Sequence, residues 1–227
     1  MLVWEKIQTA IDDARRQTLG AVLDAFAKQK MRRDETAFSI ALIALSAKMA
    51  KADGLVTTDE IDAFRRFFTY PDAEADKISM IYRLAQQDVA GFDHYLAQVA
   101  KIFEAAPKVL EDVLDCLFYI AGADGVEHPR EMALLEGAAK AFKTPASTFR
   151  RLRAMHLGLD ADDPYAILGV EPGTSAKDLR AAYRTLVREH HPDALMARGV
   201  PGNLVKIGEA RTAAINAAYE ALRRDGA

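Results

Sequence analysis

Ser175-Ala176-Lys177-Asp178-Leu179-Arg180-Ala181-Ala182-Tyr183-Arg184-Thr185-Leu186-Val187-Arg188-Glu189-His190-His191-Pro192-Asp193 is the stretch whose reading decides the fold of this chain. Ser175 with Asp178 three residues on marks a helix N-terminus, with a hydroxyl that accepts from a later backbone N–H and an acid that reaches back. From there Leu179, Ala182, Tyr183, Leu186 and His190 recur at three- and four-residue spacing, an apolar stripe that has to bury against another element. Lys177, Arg180, Arg184 and Arg188 fall within about 80° of arc on nearly the opposite side, at 3.6 residues per turn. Pro192 has no N–H and drives the residue before it out of the α region, so the predicted helix ends at or near His190 and leaves His191 extended. One face goes to a core, the basic face to solvent or a partner, and an imidazole and a carboxylate sit at the corner beyond. His190 and His191 point about 100° apart as neighbours on a helix, which disfavours one metal ion shared between them.

Residues 194 to 203 are predicted to be a loop, because Gly199, Pro201, Gly202 and Asn203 punctuate them. A second helix is expected from about Leu204 to Arg224, with Ile207, Ala210, Ala214, Ile215, Ala218, Tyr219 and Leu222 on its apolar side. The product is an antiparallel helical hairpin with an exposed tip. Asp163-Pro164-Tyr165-Ala166-Ile167-Leu168-Gly169-Val170, then Leu179 to Arg188, then His191-Pro192-Asp193, then Ile215-Asn216-Ala217-Ala218-Tyr219-Glu220 resemble a J-domain in order and spacing. The longer loop Leu195-Met196-Ala197-Arg198-Gly199-Val200-Pro201, and a chain ending with the second long helix, resemble the DjlA type of J-domain protein. The resemblance implies that His191, Pro192 and Asp193 engage a DnaK-type chaperone and stimulate its ATP hydrolysis. It implies also that the basic face, Lys177, Arg180, Arg184 and Arg188, docks on an acidic surface of that partner, while Tyr183 and Leu186 hold the hairpin together. Two departures stand out: Ala194 follows Asp193 where a lysine is common, and no fourth helix follows.

The rest of the chain bounds what this module is attached to. Its 227 residues suffice for two domains, and half of them are apolar, enough for a sizeable core. Thirty Lys and Arg against 33 Asp and Glu leave a net charge of −3, which argues against a general nucleic-acid binder despite one basic helix. Cys116, the single cysteine, lies in an apolar helical stretch and suits a reducing compartment, with packing as its role. The longest uncharged stretch, Thr36 to Ala47, is 12 residues, short of the roughly 20 that span a bilayer. Met1 to Lys30 has no signal-peptide pattern. It reads as an amphipathic helix, with Trp4, Ile7, Ile11 and Ala14 on one face and Leu19, Val22, Leu23 and Phe26 on a shifted one. DjlA-type proteins often carry an N-terminal membrane anchor, and this segment does not read as one. Its plainer use is docking onto the next domain; a membrane surface or a second copy of the chain in a homodimer is the other.

Residues 31 to 155 look helical almost throughout and hold an internal repeat. Ala50-Lys51-Ala52-Asp53-Gly54-Leu55-Val56 with Glu60 matches Ala121-Gly122-Ala123-Asp124-Gly125-Val126 with Glu131 at an offset of 71 residues. In each copy an apolar helix, Phe38 to Met49 or Val109 to Ile120, runs into Ala-Asp-Gly, turns, and restarts before Glu. Thr57 with Glu60 makes a capping box, and Pro129 sits where a first helical residue would. Further helices are predicted over Ala73 to Gln87 and Asp93 to Glu104. The paired pattern resembles the TerB domain of tellurite-resistance-like proteins. That resemblance implies a divalent-cation site from Asp53, Glu60, Asp124 and Glu131, and carboxylate oxygens suit Ca²⁺ or Mg²⁺. The alternative is that these acids cap helices and favour the positive ends of their dipoles, which accounts for Glu60 and Glu131 without an ion.

The expected protein is all-α: an amphipathic helix over 1–30, a TerB-like helical domain with its pseudo-repeat over 31–155, and a J-domain helical hairpin over 162–227. The expected function is that of a DjlA-like co-chaperone in the cytoplasm or peripherally at the inner membrane, with no required cofactor and no enzymatic activity. A client or adaptor would be met through residues 1–155, since no Gly/Phe-rich linker, CxxC module or peptide-binding β-domain is present. The rival from another class is a divalent-metal-responsive scaffold in which the J-like hairpin only binds. A hydrolase built on the four acids lacks any further acid or base apart from His128.

Overall fold

The computed structural model describes residues 35–52, 92–122, 127–157, 163–198, 200 and 205–224. The predicted helices over 1–30 and 73–87, the turn and capping box after Asp53, and the turn at Asp124 lie outside the described residues. What is described is helical, with no strand among those residues.

The longest run of uncharged residues becomes α1, Glu35–Ala52, and its described side chains from Ala41 to Met49 are all buried. A helix apolar on every side is stable only inside a bundle, and α1 packs on α2 (Phe92–Ile102), α3 (Pro107–Ala121) and α4 (Pro129–Ala141). Lys48 is buried here as well, its ammonium 5.0 Å from the centre of the Tyr95 ring, where the face of the π-system attracts the cation. Pro107 and Pro129 open α3 and α4, where a missing N–H costs nothing. Cys116 is buried among the apolar residues of α3, and burial pushes its thiol well up, which leaves it unreactive.

Among the described residues two apolar cores lie side by side. The larger one joins α1 to α4 with Leu152 of α5 (Ala146–Leu157). The smaller one joins Ala154 of the same helix to Ile167 and Leu168 of α6 (Asp163–Leu168), Leu179 and Leu186 of α7 (Ala176–Glu189), and Ile215, Ala218 and Leu222 of α9 (Val205–Arg224). α5 therefore belongs to both modules. α6 ends at Gly169, whose φ of 65° suits a residue without a side chain, and the Val170 N–H closes back on the Tyr165 carbonyl.

The hairpin follows the expected ends. Ser175 caps α7 by accepting from the Asp178 N–H at 3.2 Å, although the Asp178 carboxylate meets the Ser175 hydroxyl and not its backbone N–H. Tyr183 stacks on Tyr219 with ring centres 4.2 Å apart, and its hydroxyl donates to Asn216 at 3.0 Å. Two expectations fail. Residues 194 to 197, predicted to be loop, belong to a helix, α8, over Pro192–Ala197, because Pro192 that ends one helix is equally suited to start the next. Ala210, expected on the apolar side of α9, is exposed, and Gly208 and Arg211 are buried in its place. Near its start the inner face of α9 thus meets a charged joint, while Ile215, Ala218 and Leu222 are buried as expected.

Candidate functional site

Pro192 and the residue before it set the geometry of the corner. His191 has φ −59° and ψ 140°, extended as the proline demands, and acts as the N-cap of α8. Its Nδ1 accepts from the Asp193 N–H at 3.2 Å, which leaves the ring proton of the neutral imidazole on Nε2. Its carbonyl accepts from the N–H groups of Ala194 at 2.9 Å and Leu195 at 3.1 Å. Asp193 occupies the first turn of α8, where the positive end of the helix favours a carboxylate. The side chains of His191 and Asp193 are nevertheless open to solvent, 57% and 82% exposed.

A groove of about 400 Å³ runs from this corner along α7, lined by Tyr183, Arg184, Val187, Arg188, His191, Asp193 and Ala194. The structure thus brings Arg184 and Arg188 of the basic stripe together with His191 and Asp193. Lys177 and Arg180 are exposed on the same helix but do not line the groove. An apolar floor with cations along one wall and a carboxylate at the end can hold a chain segment whose flanks are acidic.

Behind the corner lies an ionic cluster that pattern reading missed. Asp112 and Asp115 of α3 are buried and face two arginines of the hairpin and a histidine of α5. Arg198 forks onto Asp112, Nε to Oδ2 at 2.9 Å and Nη2 to Oδ1 at 3.1 Å, and its Nη1 donates to the Glu189 carbonyl at 3.0 Å. Arg211 of α9 donates to Asp115 through Nε at 3.1 Å and through Nη2, to Asp112 at 3.3 Å, and to His190 Nδ1. His156 of α5 reaches the other oxygen of Asp115 at 2.8 Å. Burial alone would raise the Asp115 carboxyl, but Arg211 and His156 hold it below the usual carboxylate range. Burial and the Arg211 guanidinium push the His190 imidazole down to about 2, so it is neutral. The pattern of α3 does not signal the cluster. Lys108, Glu111, Asp112, Asp115 and Tyr119 share one face of this amphipathic helix, which by its sequence predicts solvent; that the hairpin covers Asp112 and Asp115 is visible only in their burial.

Of the four acids suggested as metal ligands, Glu131 alone is among the described residues. It is buried in the first turn of α4, where a carboxylate meets the positive helix end. Among the described residues no group of three or more His, Cys, Asp or Glu is placed to hold a metal ion. No helix among them is long and apolar enough to cross a membrane.

The fold and the corner define a helical protein of two modules, the second of which is a J-domain: residues 163–226 match the DnaJ domain. Residues 39–154 match Tellurite resistance protein TerB, and the chain belongs to that family as a DjlA-like J-domain co-chaperone. Similar curated proteins carry the name Co-chaperone protein DjlA. That of Photobacterium profundum is 25% identical over 94% of this chain and 88% of the relative. Those of Vibrio cholerae and Vibrio parahaemolyticus are 27% and 26% identical, over 87% and 86% of this chain and 80% of each relative. No solved structure matches the chain.

Proposed function

We propose that this protein binds a DnaK-type chaperone through the groove on α7 and stimulates its ATP hydrolysis, while catalysing nothing itself. The observation that carries this reading is the exposure of His191 and Asp193 at the end of a groove shared with Arg184 and Arg188. Exposed arginines steer an acidic partner and set how often it arrives. His191 and Asp193 then act on the docked partner: they favour hydrolysis only by contacting its hydrolysing conformation more strongly than its resting one. The TerB-like module and residues 1–30 supply the client, the adaptor or the location, in the cytoplasm or at the inner-membrane surface.

Steady-state ATP hydrolysis by a DnaK-type chaperone, titrated with the full chain, tests the proposal. His191→Gln is expected to abolish stimulation while leaving the fold intact, since the side chain is exposed. Stimulation by that variant equal to wild type would overturn it. Divalent-cation sensing at Asp53, Glu60, Asp124 and Glu131 is checked by calorimetric titration with Ca²⁺ and Mg²⁺. Heat that disappears in the Asp53→Ala, Asp124→Ala double variant supports it, and absence of heat in the wild type sinks it.

A further inference from the structure

A helix of six residues does not stand alone in water, because too few hydrogen bonds repay its nucleation. α8, which carries Pro192 and Asp193, therefore draws its order from what it packs on. Its apolar anchor Leu195 and the following Val200 are buried and join the apolar core of the TerB-like bundle, while the helix itself lies against α9 and α7 of the hairpin. On the α9 side Gly208 admits Leu195: a Cβ at that position would lie 2.5 Å from Leu195 Cδ1. A glycine inside a helix costs about 1 kcal/mol against alanine, and the close approach of Leu195 accounts for its presence.

Arg198 completes the support. One guanidinium binds the Glu189 carbonyl, just before the corner, and forks onto Asp112 of the other module. The Arg198 guanidinium thereby closes the segment from Glu189 to Arg198 into a loop and anchors that loop to the Asp112 carboxylate. Arg211 binds the same Asp112, its neighbour Asp115 and the His190 ring that directly precedes His191. All of this lies behind the corner, while His191 and Asp193 remain exposed in front. The contact therefore presents the corner and does not cover it. Buried ion pairs contribute little net stability compared with apolar packing and are directional, which suits a device that fixes geometry.

We infer that Asp112 and Arg198 are positioning residues for chaperone stimulation, through which the TerB-like module holds the His191-Pro192-Asp193 corner in its working shape. The inference rests on the function proposed above. It gives the extended loop after the corner a role: Leu195, Arg198 and Val200 are a plug seated in the neighbouring module.

Two measurements on the full chain test it. In titrations of a DnaK-type chaperone, Arg198→Met is expected to lower maximal ATPase stimulation about fivefold, within the range known for coupling through packed networks, with little change in the half-saturating concentration. Arg184→Ala, in the groove, is expected to do the reverse. Arg198→Lys keeps the charge but not the fork and should recover less than half of the loss. Asp112→Asn, which retains the Arg211–Asp115 pair, should reproduce the Arg198→Met result and stands in for it if that variant fails to fold. In amide hydrogen exchange, Ala194 and Leu195 are expected to exchange about tenfold faster in both variants, with α1 unchanged. Unaltered exchange at these two amides, or faster exchange with an undiminished maximum, would overturn the inference. If the wild type itself gives no stimulation, the co-chaperone reading fails, and the exchange measurement still decides whether the TerB-like module holds the corner.

Discussion

The arginines of α7 and those of the joint between modules differ in surroundings more than in chemistry. Arg184 and Arg188 line an open groove and stay exposed, whereas the side chain of Arg211 is 2% exposed and that of Arg198 21%. In water an arginine is solvated and contributes almost nothing to folding; its charge is available to whatever approaches. In the joint the same group has left water and must be repaid by carboxylates at bonding distance, so it is fully committed to the fold. The outer set is free to recognise, and the inner set can only hold.

That comparison can be broken by substitution. Arg211→Ala strands two buried carboxylates and is expected to destabilise the chain by about 3–5 kcal/mol, against less than about 0.5 kcal/mol for Arg184→Ala. Urea unfolding of both variants checks this, and similar midpoints would erase the distinction between the two sets.

Acid should sharpen the comparison. His190 is held neutral in the fold, pushed down to about 2, whereas its ordinary value is 6.5. Below about 6.5 the unfolded chain takes up a proton that the folded chain refuses, so the stability present above that pH is progressively lost as pH falls. Between pH 7.5 and 5 this amounts to about 1–2 kcal/mol. Asp115, held below its ordinary 3.8, adds a loss in the same direction under about pH 4. Urea midpoints at pH 7.5 and 5 should differ less in His190→Gln than in wild type; an equal difference would show that another group titrates.

The smallest effect is expected at the rim of the joint. Lys108 bonds Glu189 at 3.0 Å, but both side chains are about half exposed, 50% and 40%. Lys108→Ala should therefore cost under about 0.5 kcal/mol, a cost that fades with added salt. A loss comparable to that of Arg211→Ala would mean that the rim, and not the buried cluster, holds the modules together.

Much of the hairpin was legible because its signals are local. Ser175 caps α7, Pro192 ends it, and the apolar spacing of Leu179, Leu186, Ile215, Ala218 and Leu222 states which face is inside. His191 and Asp193 could be singled out for the same reason: a proline fixes the conformation of its own neighbours. The joint was not legible. Asp112 lies on a polar helix face that predicts solvent, Arg198 in a segment predicted to be loop, and Arg211 off the predicted apolar side of α9. They are separated by 86 and 99 residues from Asp112 to its two arginines, and no periodicity reports a pairing at that distance.

By itself the sequence determined α7 and α9, the cap and the stop of α7, the extended conformation of His191 and the charge along α7, though not the short α8, since propensity, capping and proline sterics act over a few residues. Only the tertiary structure decided which arginines face a partner and which are consumed inside. That choice depends on how two modules meet, and a buried charge is tolerated only where another part of the chain has already placed its counter-charge.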